Sequence, residues 1–148
     1  SVLEDKSTRL TCLHPAKGNV YKDKNTGSLV LRLTYGEFSM LLTGDLEEEG
    51  EKEILMQKEK INCSILKAGH HGSRFSTSGE WLKEVRPELT LISCGKDNSY
   101  GHPHEETLER LFRSGSEVLT TTGQGAVTIR SSGRGFTAEG FTMPIGCI

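Results

Sequence analysis

The 148-residue sequence predicts an α/β (α+β) fold, and three observations carry that prediction. Apolar and polar residues alternate between positions 29 and 43, the period of a half-buried strand pair. From residue 46 onward, apolar runs of strand length alternate with longer segments of helical character, giving the order strand, helix, strand, helix, strand. The stretch 117–141 then returns to short β-rich runs separated by glycine turns.

The elements follow in order. Leu29, Leu31, Leu33 and Tyr35 alternate with Val30, Arg32 and Thr34; Gly36-Glu37 interrupts, and 38–43 resumes as an apolar run, a β-hairpin. Segment 46–58 is rich in Glu at its start and carries Ile54, Leu55 and Lys58 later, the charge order that a helix dipole favours. Strand 61–67 follows. Thr77-x-x-Glu80 is a capping-box signature ahead of Trp81, Leu82 and Val85, and 89–94 is the next strand. Pro103 suits the first position of a further helix, with Leu108, Leu111 and Phe112 as its apolar stripe and Ser114-Gly115 as its end. Strands at 117–121, 126–130 and 135–141 close the chain, with turns at 123–125 and 132–135. No internal repeat, linker or low-complexity stretch divides it.

Composition excludes several classes. With 34 % apolar and 26 % charged residues the chain is neither disordered nor fibrous. Eighteen basic against 20 acidic residues give a net charge of −2, so a nucleic-acid role must rest on local basic clusters. The longest apolar runs are far below the roughly 18 residues that span a bilayer, and no secretory signal is expected in these residues. Cys12, Cys63, Cys94 and Cys147 form no C-x-x-C pair, and the first three sit in apolar runs where cysteine packs as a small hydrophobe.

Three segments concentrate the unusual residues: Leu-Thr-Gly-Asp at 42–45, Gly-His-His-Gly-Ser at 69–73, and Gly-Lys-Asp-Asn-Ser-Tyr-Gly-His-Pro-His at 95–104. Each follows the end of a predicted strand, where ligands bind in open α/β sheets. Four of the five histidines lie there. Asp45 offers a hard oxygen donor and His70, His71, His102 and His104 offer imidazoles, a set suited to zinc or manganese. Each residue also has a structural reading. Asp45 with Glu48 would make a capping box. His70 and His71 would satisfy loop carbonyls, and His102 would sit at a helix N-cap set up by Pro103. Ser73 and Asn98 either hold a phosphate oxygen or stabilise turns. Lys67, Arg74, Lys83, Arg86 and Lys96 either meet a polyanion backbone or are solvated.

Taken together, Ser-Leu-Val-Leu-Arg-Leu (28–33), Leu-Leu-Thr-Gly-Asp (41–45), Leu-Lys-Ala-Gly-His-His-Gly-Ser (66–73) and Ser-Cys-Gly-Lys-Asp-Asn-Ser-Tyr-Gly-His-Pro-His (93–104) resemble the metallo-β-lactamase-like C-terminal domain of the ComEC competence family. The resemblance runs from Leu13-His14-Pro15 to the closing strands. It implies a four-layer αββα sandwich of two related halves, residues 1–148 forming the second. It implies a bacterial DNA-uptake channel whose hydrolase domain lies on the extracytoplasmic face of the cell membrane and degrades the strand that is not transported. The implied site has two zinc or manganese ions, with Asp45 as bridging ligand, His70 as the late metal histidine and His71 as its neighbouring competitor. Ser73 and His102 would act in catalysis, stabilising the leaving oxygen, while Asn98, Lys67 and Arg74 would hold the backbone of single-stranded DNA.

The family's early H-x-H-x-D-H motif is absent from this sequence. One Asp and one or two His are too few for two ions. Weak or absent metal binding, poor catalysis and a sheet face left uncovered are therefore expected of these residues alone. Two further readings stand beside a nuclease fragment: a non-catalytic module that guides DNA, and a small-molecule hydrolase of the same superfamily. His14 is expected to lie apart from the site.

Overall fold

The structure, a computed structural model, describes residues 2–5 and 7–141. Its strands are β1 (Val2–Asp5), β2 (Thr8–His14), β3 (Val30–Tyr35), β4 (Phe38–Leu42), β5 (Ile65–Lys67), β6 (Leu89–Ile92), β7 (Glu117–Thr120), β8 (Ala126–Ser131) and β9 (Phe136–Phe141). Its helices are α1 (Glu48–Met56), α2 (Gly79–Val85), α3 (Glu105–Ser114) and the short α4 (Thr121–Gln124). Seven strands form one mixed sheet in sequence order, antiparallel from β1 to β4 and parallel from β4 to β7; β8 and β9 form a separate antiparallel ribbon.

The alternation read from the sequence sets the two faces of that sheet. Val30, Leu41, Leu66 and Ile92 point to one side and pack with Ile54 of α1, Trp81, Leu82 and Val85 of α2, and Leu111 of α3. All three long helices therefore cover one face. Burying aliphatic side chains of this kind stabilises by about 1.5–3 kcal/mol each. Leu33, Met40, Ile65, Leu89, Leu91 and Leu119 point to the other side, where Ile129, Phe136 and Ala138 of the ribbon lie on them. The ribbon is anchored at its turn: Gly133 O accepts from Glu37 N at 2.6 Å, and a Cβ on Gly36 (φ 58°) would stand 2.5 Å from that same carbonyl. Only glycine fits there.

Several elements differ from the sequence expectation. Strands β1 and β2 were not expected, because charged and polar residues interrupt their apolar positions. The N-cap of α1 is Glu47, without a side-chain cap bond, so Asp45 and Glu48 make no capping box. Helix α2 is capped by Ser78, which accepts from Trp81 N, and not by Thr77. Helix α3 begins at Glu105 with His104 as N-cap; Pro103 precedes it and is not its first residue. Leu111 alone of the expected stripe is buried, beside Thr107, while Phe112 is 84 % exposed. Tertiary bonds from Thr107 to Ser73 O and from Arg110 to the carbonyls of Arg74, Ser76 and Thr77 decide which face of α3 is inward. Strands β5 and β6 are shorter than the runs 61–67 and 89–94, and the expected turn at 123–125 overlaps α4. Cys63 is buried, its thiol pushed up to about 12 by desolvation, and Cys94 packs on the same core; Cys147 lies outside the described residues.

Candidate functional site

Because β4, β5 and β6 are parallel, their carboxyl ends share one edge of the sheet, and the loops that follow them meet there. These are the three loops rich in chemistry. Gly72 brings two of them together: its carbonyl accepts from His104 N at 3.0 Å, and a Cβ at its position would stand 2.8 Å from Pro103 Cβ. The rings of His70, His71, His102 and His104 form a chain, with centroids 5.4 Å apart for His70 and His102, 6.3 Å for His71 and His102, and 4.9 Å for His102 and His104.

His70 and His71 both adopt left-handed backbone, at φ 43° and 55°. Such a conformation costs a non-glycine residue energy and is tolerated where surrounding bonds over-determine it. Those bonds are present. His71 Nδ1 lies 2.6 Å from Ser93 O and so donates to that carbonyl, leaving Nε2 as acceptor 3.5 Å from Asp45 Oδ1. His70 Nδ1 lies 2.8 Å from Glu47 Oε1 and donates to it, with Asn25 donating to the same oxygen. Each ring is thus oriented by a fixed Nδ1–H, as second-shell partners orient metal-binding imidazoles. The Asp45 carboxylate and the His71 imidazole thus stand side by side at the cluster, each half exposed.

The remaining candidates separate by environment. Lys67 is half-buried and donates to Ala68 O at 3.0 Å; desolvation lowers its pKa, against an opposing pull from Asp45. Desolvation, then His104, His70 and His71, lower the pKa of His102. His102 is not at the helix N-cap; it stands two residues ahead of His104, the cap. Asn98 ties its own loop, donating to Gly95 O and His102 O and accepting from His102 N at 2.9 Å. Ser73 is buried, its hydroxyl accepting from Phe75 N and its carbonyl accepting from Thr107, so it is committed to the loop. Arg74 pairs with Glu106 at 2.9 Å, and its N–H donates to His104 Nδ1. His14 stands apart, fully buried between Ser28 O and Glu53.

Sequence reasoning missed the residues that hold this site. Glu47, absorbed into the helical charge pattern, orients His70. Glu51 of α1 is buried and accepts from Thr77 N and Ser78 N. Arg110 of α3 donates to the carbonyls of Arg74, Ser76 and Thr77. Only their charge within otherwise apolar helix faces signals them. Among the described residues, no three His, Cys, Asp or Glu side chains converge to hold a metal ion. The residues present therefore do not fit a resident zinc or manganese by themselves.

The fold and site define a mixed α/β protein that gathers imidazoles and carboxylates at the carboxyl ends of parallel strands. No family model matches the chain. It is 43 % identical over 111 residues to ComE operon protein 3 of Bacillus subtilis, 39 % over 110 residues to Recombination protein 2 of Haemophilus influenzae, and 38 % over 106 residues to Competence protein ComA of Neisseria gonorrhoeae. These alignments cover 75 %, 74 % and 71 % of the chain, but the chain spans only 14 %, 14 % and 15 % of the relatives' own length. Over these stretches the chain is similar to proteins named for competence and recombination. No helix among the described residues is long and apolar enough to cross a membrane.

Proposed function

We propose that these residues form part of a DNA-processing domain of a bacterial competence protein, at the extracytoplasmic face of the cell membrane beside the channel portion of the same protein. The domain acts on the phosphodiester backbone of the DNA strand that is not transported. The observation that carries this reading is the convergence of Asp45, His70, His71 and His102 at one sheet edge in a chain similar to competence proteins over more than 70 % of its length. Metal-assisted hydrolysis of DNA takes zinc or manganese held by more donors than these residues bring together. Asp45 and His71 supply two donors. Lys67 and Arg74 flank the loops as backbone contacts, and His102, its pKa lowered first by desolvation and then by the neighbouring histidines, offers a proton donor or acceptor. The incomplete donor set favours a second reading, a module that guides DNA without cleaving it.

Zinc and manganese titration by calorimetry, with cleavage of labelled single-stranded DNA, separates the two in the full-length protein. Metal-dependent cleavage that falls at least a hundredfold in Asp45→Asn and His71→Gln supports the nuclease. DNA binding without cleavage at any metal concentration supports the guide, and absence of DNA binding defeats both.

A further inference from the structure

Beside the histidine cluster lies a cavity of about 200 Å³, lined by His71, Cys94, Gly95, Asn98, Tyr100 and His102. Its walls are unlike the rest of the site. The Tyr100 and His102 rings are near parallel, 21° apart with centroids at 5.7 Å, and His71 lies at 21° to His102 as well. Three flat rings of similar orientation therefore border one small, open space. Tyr100 is 74 % exposed, so its ring contributes little to the core. Its loop is nonetheless ordered, since the Asn98 amide closes it through Gly95 O, His102 O and His102 N. At Gly95 an added Cβ would approach only Asn98 Cβ, at 3.9 Å, so the backbone wall leaves room.

A preformed aromatic platform with one polar amide at its edge fits a planar heterocycle. From this geometry we infer that the Tyr100 cavity is a nucleobase subsite, in which one base of a single strand stacks on Tyr100 while its phosphate lies toward the histidine cluster. The inference rests on the DNA reading above and names the form of DNA that the site accepts. A paired base has both faces covered by its neighbours, whereas an unpaired base offers a free face and gains from stacking whatever its identity. Because the loop is already ordered, little freedom is lost on binding.

The test measures binding by fluorescence anisotropy, using this chain, a labelled oligo-dT strand and a strand of equal length made of abasic sites. Wild type binds the base-bearing strand about tenfold or more tightly than the abasic one. Tyr100→Ala abolishes that ratio and leaves abasic binding unchanged, while Tyr100→Phe and Tyr100→Trp keep it. In the Tyr100→Trp variant, stacking quenches indole fluorescence on addition of oligo-dT; Trp81 is buried and serves as the unchanged background. Equal binding of the two strands by wild type, or an unchanged ratio in Tyr100→Ala, overturns the subsite and leaves the DNA reading standing. Duplex DNA bound with the same dependence on Tyr100 overturns the single-strand assignment. Failure to bind either strand defeats the DNA reading and the subsite with it.

Discussion

Removing the Glu51 carboxylate should loosen the segment that follows His71. Glu51 is 2 % exposed and receives two backbone N–H groups, from Thr77 and from Ser78 at 3.0 Å. A hydrogen bond to a charged group contributes about 1.5–3 kcal/mol, and leaving its buried partner unsatisfied costs more than the mean bond is worth. Against this stands the burial of the carboxylate, which raises its pKa above the ordinary 4.5 by desolvation. Deleting two such bonds while relieving that desolvation gives a net loss of about 2–4 kcal/mol for Glu51→Ala. At about 3 °C per kcal/mol for a domain of this size, the melting temperature falls by about 6–12 °C.

The pH dependence has a definite sign. A carboxyl whose folded pKa is raised adds stability below its unfolded pKa and loses it as pH rises through the folded pKa. The stability gap between wild type and Glu51→Gln, which does not titrate, should therefore be widest below pH 4.5 and narrow above it. Thermal melts of the three proteins across pH measure both quantities. A Glu51→Ala loss under about 1 kcal/mol, or a gap that widens as pH rises, refutes the reasoning.

Ser78→Ala removes the α2 cap and should cost about 0.5–2 kcal/mol in urea melts, whereas Thr77→Ala removes a buried hydroxyl without a partner among the described residues and should be neutral or stabilising. The reverse order would restore Thr77 as the cap. Since His102 is not the cap of α3, His102→Ala should change stability by no more than about 0.5 kcal/mol. In the full-length protein it should lower DNA turnover about 10²- to 10⁴-fold with metal content intact, the range for a general acid or base; normal turnover per folded molecule removes His102 from the site.

The parallel half of the fold was legible because each of its strands is a short apolar run and each crossover carries its own charge or cap signal. Strands β1 and β2 were not, because pairing, of β2 with β3 and of β1 with β2, and not periodicity, makes them strands. At the site, glycine-flanked histidines at strand ends pointed to loops that the structure brings together at one sheet edge. Which histidine meets which carboxylate was beyond the sequence: consecutive left-handed residues send His71 toward Asp45 and His70 toward Glu47, and spacing alone does not encode that split. The phosphate role read for Ser73 rested on its glycine-flanked position, while its burial follows from contacts with α3 about 34 residues away.

The paired left-handed histidines set opposite demands on anyone who randomises positions 70 and 71. Glycine and asparagine accept this backbone more readily than other residues, and valine and isoleucine resist it. A library screened only for soluble, heat-resistant protein should therefore enrich Gly and Asn at both positions. The same library screened for work at the loop cluster should retain His despite its backbone cost. The divergence between the two enriched alphabets would read out, position by position, how far selection for activity has overruled selection for a relaxed chain.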